Sequence, residues 1–275
     1  MNAILPNPQL AVLRRRTDPH LEWLCAQIAR NRFLPVPPQE RQFIGDGDFR
    51  AIGAEFLRHF VRLGGLRPDH RVLEIGCGIG RMALPLTQYL DSAYDGIDIV
   101  LDGIRWCAET ITPAYPSFRF HHLDVANGLY NPDGRLDGGA AALPFAAGGY
   151  DFVLLTSVVT HLRTAETARY AAEIARVLKP GGRCFLSLFL VDATARAGMA
   201  KGAARPPFPD APGPELLADP ANPNAAVAYD EAFLLDLFAA HGLHLARPVL
   251  HGHWSGRADA ENFQDLLVLQ KGDAA

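Results

Sequence analysis

Among the 275 residues, the stretch Val72-Leu-Glu74-Ile-Gly76-Cys77-Gly78-Ile-Gly80-Arg81 has the side-chain types and spacing best suited to chemistry. Three alternating glycines follow a short apolar run and precede a helical pattern. Such a turn lets a ligand approach the backbone closely and leaves N–H groups at the helix start free to face it. Asp98 closes the next apolar run. In a doubly wound sheet, a carboxylate about 20 residues beyond the glycine turn is placed to accept hydrogen bonds from ribose hydroxyls.

The elements around this motif must put it at one edge of a sheet. Arg71–Ile75, Ala93–Ile97, Phe118–Leu123, Asp151–Thr156 and Arg183–Val191 read as buried strands. Between them, Ile104, Cys107, Ala108 and Ile111 share one helical face, as do Tyr170, Ile174, Val177 and Leu178. Thr164 is the expected N-cap of the second helix, and Lys179-Pro180-Gly181-Gly182 stops it. Strands alternating with helices predict βαβ units and a mostly parallel sheet.

Three regions break this rhythm. Val125–Gly149 is rich in Gly, Asn and Pro and lacks a helical stripe, so its crossover helix is expected to be short or missing. Asp192–Ala228 is dominated by Ala and Pro and is expected to lack regular structure, which marks it as a lid or a mobile segment. Beyond a helix at Asp230–His241, Leu243–Leu250 and Phe263–Leu269 read as strands with no full helix between them, so they must run antiparallel. Ahead of the first strand, Phe49, Ile52, Phe56, Phe60 and Leu63 predict an amphipathic helix over Asp48–Leu63, and Gly45–Phe49 is a turn leading into its N-cap. The expected fold is α/β, a Rossmann-like doubly wound sheet with an antiparallel terminal strand. Residues 1–66 would form a helical cap or lid, and residues 67–275 the main domain with an insertion at 192–229.

With these residues in place, the sequence resembles the class I S-adenosylmethionine-dependent methyltransferases over roughly Asp69–Val191 and the terminal strands. The resemblance implies that Glu74, Gly76, Cys77, Gly78 and Gly80 form the glycine loop against the methionine and ribose parts of S-adenosyl-L-methionine. Asp98, with Ile99 beside it, would take the ribose diol. Asp124 would stand beside the adenine amino group, with Val125 offering its backbone, and Thr156 and Ser157 would wall the site after the fourth strand. Leu178-Lys-Pro-Gly-Gly182 before the fifth strand is a further family-like feature. All of these fall at carboxyl ends of strands, where open α/β sheets bind ligands. Pro85 departs from the pattern by removing a hydrogen bond early in the helix after the glycine loop.

A nicotinamide-dependent oxidoreductase is the rival, since Gly78–Ala83 also satisfies G-x-G-x-x-A. In that register the first glycine lies two residues beyond the expected turn, and starting at Gly76 puts Arg81 where the third glycine belongs. A catalytically silent cofactor-binding or scaffold protein is the other alternative.

Methyl transfer from a sulfonium needs alignment and exclusion of water rather than a metal, and the scattered His and Cys show no metal-ligand spacing. A hydroxyl or protonated amine acceptor benefits from a base. His161, following the fourth strand, is the catalytic candidate; the structural alternative is support of the turn. His121 and His122 straddle the third strand. His251, His253 and Trp254 form a polar and aromatic cluster between the last strands that would hold a substrate ring or a proton, or else a surface loop. Arg81 and Arg105 are expected on helix surfaces. The acceptor atom, oxygen, nitrogen or carbon, stays open.

Composition narrows the partners. Hydrophobic residues make up 49%, and 26 Lys/Arg face 30 Asp/Glu. A nucleic-acid surface would need a basic stripe, so a small-molecule acceptor is expected. The cluster Arg14–Arg16 reads as a solvated helix face. Apolar runs are too short to insert in a membrane, the N-terminal residues lack a signal-peptide pattern, and four scattered cysteines make no disulfide framework. A cytoplasmic protein of unassigned oligomeric state is the expectation.

Overall fold

In the computed structural model, which describes residues 19–272 apart from Asp46 and Ala141, β1 (Val72–Ile75) is an interior strand of a seven-stranded sheet. It pairs in parallel with β2 (Tyr94–Asp98) on one side and β4 (Tyr150–Thr156) on the other, in registers that align Ile75 with Ile97 and Glu74 with Leu154. β3 (Phe118–His122) extends the sheet beyond β2, and β5 (Leu178–Leu188) extends it beyond β4. β10 (Asp265–Lys271) then runs antiparallel to β5, and β9 (Leu243–Leu245) antiparallel to β10. The order β3-β2-β1-β4-β5-β10-β9 confirms the doubly wound, mostly parallel sheet with antiparallel terminal strands. Parallel pairing brings the β1 and β2 carboxyl ends to the same edge.

Strand alternation sends side chains to two cores. On one face, Phe152, Leu154 and Phe185 pack with Leu57 and Phe60 of α2 (Phe49–Arg62), Leu21 and Ile28 of α1 (Pro19–Arg30), and Cys107 of α4 (Leu101–Thr110). On the other, Leu73, Val153 and Leu186 pack with Tyr170 and Ile174 of α5 (Thr164–Val177) and Leu234 and Phe238 of α7 (Glu231–Ala240). The predicted N-terminal helix is therefore α2. The Asp48 carboxylate caps it by accepting from the Ala51 N–H at 2.8 Å. Ile52 and Phe56 are only half-buried against the core, because they turn toward a cavity.

Pro85 lies in α3 (Ala83–Leu86), a single turn, so the proline shortens this helix as its missing N–H requires. Gly53 of α2 packs here. A Cβ at Gly53 would come within 2.6 Å of the Arg81 carbonyl oxygen and 3.2 Å of Pro85 Cγ.

Several expectations are corrected. Asp192–Ala228 holds regular structure: α6 (Ala193–Ala200), β7 (Glu215–Leu217) and the start of β8 (Val227–Asp230). With β6 (Leu190–Val191) these strands make a second sheet in the order β6-β8-β7 around its own core of Phe189, Val191, Phe208, Leu216 and Trp254. Strands this short show no readable period between alanines and prolines. The strand expected over Leu243–Leu250 stops at Leu245, because Pro248 cannot donate to the ladder; Leu250 rejoins through a bridge to Leu266. Arg163, not Thr164, occupies the N-cap position of α5. The Glu166 carboxylate accepts from the Arg163 N–H, while the Thr164 hydroxyl turns to Glu215. Ala108 is exposed and Trp106 buried in α4. The crossover after β3 does lack a helix among its described residues. Arg14–Arg16 lie outside the described residues.

Candidate active site

The carboxyl ends of β1, β2, β4 and β5 open into a cavity of about 610 Å³. Its glycine rim is shaped by conformation. Gly76 has φ 75° and Gly78 φ 54°, and a Cβ at Gly76 would come within 2.3 Å of Val158 Cγ2. Both positions need glycine for the left-handed backbone, and Gly76 needs it for space as well. Gly80, φ 82°, lies below the rim, where a Cβ would meet Cys107 Sγ at 2.9 Å.

Asp98 binds the turn to the end of β2. One carboxylate oxygen accepts from the Gly78 N–H at 2.6 Å and the other from the Val100 N–H at 2.8 Å. Burial raises its pKa, against the backbone N–H groups that favour the charged form. Asp98, Ile99 and Val100 line the cavity, continuing into Leu123, Val125 and Ala126 as an apolar slot.

Glu74 does not reach the cavity. Its carboxyl is fully buried, accepts from the Tyr94 hydroxyl, and is pushed up to about 8 by burial against that hydrogen bond. Burial thus favours its neutral form, and it serves as an internal strut. Cys77 likewise points inward against Gly96. Asp124 is also off the cavity, held by Arg135 at 2.6 Å and Asn131 at 3.2 Å, and Asn127 lines the wall in its place. Thr156 and Ser157 do line it. Ser157 has φ 59°, unusual for a residue with a side chain, and is locked there by hydrogen bonds from its N–H to Ser187 Oγ at 3.0 Å and from Gln264 Nε2 to its hydroxyl at 2.8 Å.

His161 ends a 3-10 turn, Val159–His161, on the same wall. Its Nδ1 lies 2.8 Å from the Asn224 carbonyl oxygen, and its Nε2 3.5 Å from the Tyr130 hydroxyl. A carbonyl only accepts, so Nδ1 carries the hydrogen and neutral His161 keeps a bare Nε2. Burial lowers its pKa, opposed by backbone carbonyls that favour the charged form.

The cluster His251, His253 and Trp254 is not brought to the cavity. Trp254 is buried in the second sheet's core, with Nε1 donating to Asp265 at 2.8 Å. His253 is exposed against Phe263, and His251 binds Glu231 at 2.6 Å. The neighbouring Asn262, Phe263 and Gln264 line the cavity instead. Asp192, Glu231 and His251, distant in sequence, approach within 4.8 Å of one another, but Arg257 already holds Asp192 at 2.5 Å. This cluster is satisfied as an ion-pair network. Arg105 is exposed as expected. Arg81 is not on an open surface: it lines the cavity and donates to the Gly45 carbonyl at 2.9 Å.

Sequence reasoning also missed Phe43, Ile44, Asn127 and Tyr130, all of which line the cavity. A tyrosine in a glycine-rich crossover leaving a strand's carboxyl end was a usable signal for the last of these.

Comparison with known proteins agrees with this architecture. A family model described as a methyltransferase domain matches residues 73–186. An uncharacterised protein of Mycobacterium tuberculosis is 32% identical over 151 residues, 52% of this chain and 47% of that protein. The chain spans about half the length of the curated relatives it matches. An S-adenosylmethionine-dependent methyltransferase from Methanosarcina mazei superposes with TM-score 0.54 at 21% identity, covering 78% of this chain and 98% of that one. A 1,6-didemethyltoxoflavin-N1-methyltransferase from Burkholderia thailandensis, solved with 1,6-didemethyltoxoflavin and S-adenosylhomocysteine bound, superposes with TM-score 0.51 at 16% identity, covering 99% of this chain and 94% of that one. Residues 73–186 thus match a methyltransferase-domain family model, and the sheet that carries them has the Rossmann-like fold of the superposed methyltransferases.

The residues present fit S-adenosylmethionine. A glycine rim that a Cβ would obstruct, a carboxylate fixed at the end of β2 and an apolar slot beyond it suit the amino-acid, ribose and adenine parts in turn. The antiparallel β10 beside β5 also separates this sheet from the parallel dinucleotide-binding order expected of the oxidoreductase rival.

Proposed function

We propose that the chain transfers a methyl group from S-adenosylmethionine to a small-molecule acceptor. The observation that carries this reading is Asp98, clasped by the Gly78 and Val100 N–H groups at 2.6 and 2.8 Å, facing the same cavity as the glycine rim. When bound, the sulfonium supplies an activated methyl group and a neutral leaving thioether. The chain's own part is alignment. Gly76 and Gly78 bring the backbone close, Asp98 accepts from the ribose hydroxyls, and Ile99, Leu123 and Val125 enclose the base. Thr156 and Ser157 bound the acceptor side, and His161 Nε2 is the base available to an acceptor proton.

Phe43, Ile44, Ile52 and Phe56 close the cavity opposite these strand ends, which supports a lid role for the N-terminal segment, residues 1–66, over the domain formed by residues 67–275. Cofactor-dependent protection of residues 39–48 from proteolysis is the expected signature, and equal cleavage with and without cofactor would count against a lid. The four buried free cysteines support a reducing compartment such as the cytoplasm, and among the described residues no helix is long and apolar enough to cross a membrane.

Calorimetric titration with S-adenosylmethionine and with reduced nicotinamide dinucleotide tests the cofactor. Binding of the first alone supports the reading. Formation of S-adenosylhomocysteine with added acceptors then separates an enzyme from a silent binding protein.

A further inference from the structure

Within the cavity, hydrogen positions can be counted. His161 Nδ1 spends its hydrogen on the Asn224 carbonyl, so Nε2 can only accept from the Tyr130 hydroxyl, 3.5 Å away, with the two rings edge-on at 5.1 Å. This separation is long, as catalytic hydrogen bonds often are before a ligand tightens them. Thr160 gives its proton to the Ser157 carbonyl at 2.9 Å, so Ser157 must donate to Thr160 Oγ1 at 3.1 Å while receiving Gln264 Nε2. Gln264 Oε1 in turn takes the Ser187 proton at 2.6 Å, which fixes the amide's orientation. Of the lining hydroxyls, those of Tyr130 and Ser157 therefore spend their protons inside the protein and offer the cavity oxygen lone pairs.

The remaining lining sets the charge and shape of what fits. Asp98 and Glu166 are acidic, and the one Lys or Arg among the described lining residues, Arg81, donates to the Gly45 carbonyl. With Asp98 taken up by the ribose, an anionic acceptor would still meet the Glu166 carboxyl group. The cap-side wall of Phe43, Ile44, Ile52 and Phe56 is apolar and favours a ring or hydrocarbon surface.

We propose that Tyr130 and His161 form a proton relay serving an uncharged, largely apolar acceptor bearing an O–H or N–H group, so that a heteroatom rather than carbon receives the methyl. This rests on the methyltransferase reading above. As the acceptor heteroatom bonds to the methyl carbon, the carbon–sulfur bond breaks and its electron pair stays on sulfur. The acceptor proton passes to Tyr130 Oη, the Tyr130 proton passes to His161 Nε2, and His161 releases it to water. Tyr130 ends the cycle unchanged.

Two probes of one ring test the relay: 1-naphthol and 1-methoxynaphthalene, titrated by fluorescence against the full chain saturated with S-adenosylhomocysteine. Wild type should prefer naphthol by about tenfold or more, the worth of one hydrogen bond in a dry site, and Tyr130→Phe should reduce the preference to about threefold or less. Equal affinities, or binding of neither probe, overturns the proposal. An NMR titration of the His161 ring in the unliganded protein is the second readout. Removing a donor that favours the neutral ring should shift its pKa upward in Tyr130→Phe, and an unmoved titration also overturns the relay. Failure of the underlying reading is distinguishable, since S-adenosylhomocysteine would then not bind wild type at all.

Discussion

His161 and Asn224 grip each other through two hydrogen bonds of 2.8 Å: the ring Nδ1 donates to the Asn224 carbonyl, and the Asn224 Nδ2 donates to the His161 carbonyl. One partner follows β4 and the other ends the Ala/Pro-rich insertion, so the insertion selects the tautomer of the candidate base. Asn224→Ala removes the second bond and leaves the backbone carbonyl free to drift. Turnover should fall by about 10- to 100-fold, the cost of misplacing a reacting group, while calorimetry shows S-adenosylmethionine affinity little changed.

The lowered His161 pKa sets a pH dependence. Burial disfavours the imidazolium, so the neutral base is already dominant at pH 7. The rate should rise with pH through a value below the ordinary histidine range and then stay level. In His161→Gln that acidic limb should vanish, as measured by steady-state rates in constant ionic strength buffers.

Asp98→Ala removes the carboxylate that both faces the cavity and holds the glycine rim through Gly78. Loss of charge-assisted hydrogen bonds of this kind costs about 1.5–3 kcal/mol, so S-adenosylmethionine should bind roughly 10- to 100-fold more weakly in calorimetry. Unchanged affinity would defeat the ribose assignment.

Trp254→Ala separates folding from catalysis. The side chain fills the second sheet's core beside Phe189 and Phe208 and donates to Asp265, so its removal should cost about 3–5 kcal/mol in denaturant unfolding. In wild-type protein, binding of an acceptor should leave the Trp254 environment unperturbed, because its ring does not line the cavity.

Stability should respond to acid through Asp95. Burial pushes this carboxyl up, but hydrogen bonds from His121 and Tyr150 and the guanidinium groups of Arg119 and Arg71 outweigh it and hold it at about 2. A depressed carboxylate contributes above its unfolded pKa, near 4, and the contribution is lost as pH falls toward 2. His251 acts in the opposite sense: Glu231 raises its pKa despite burial, so its contribution is complete below the ordinary histidine value and lost as pH rises through the raised one. Urea unfolding of Asp95→Asn and His251→Gln across pH should flatten the acidic and alkaline limbs respectively.

The sheet and the cofactor edge were legible because their signals are local. Gly76, Gly78 and Asp98 sit where their spacing put them, and Thr156, Ser157 and His161 follow the fourth strand onto the cavity wall. Glu74 was misread because spacing does not say to which side of a strand end a carboxyl turns; Tyr94, on the neighbouring strand, claims it. Trp254 was misread for a related reason. Its loop is covered by a small sheet whose strands of two to four residues are too short to announce themselves. Tyr130 and Gln264 reach the cavity through long-range hydrogen bonds that no sequence period encodes.

The contact between Gly53 and the Arg81 carbonyl bears on how such chains can be recombined. Pro85 supplies no N–H to that carbonyl, and the bare face of Gly53 is what lets α2 settle against it. Glycine and proline are thus a matched pair on opposite sides of a seam. A chimera that grafts another N-terminal segment onto this core should dock only when it brings an equally small residue to that point, whatever its remaining surface offers.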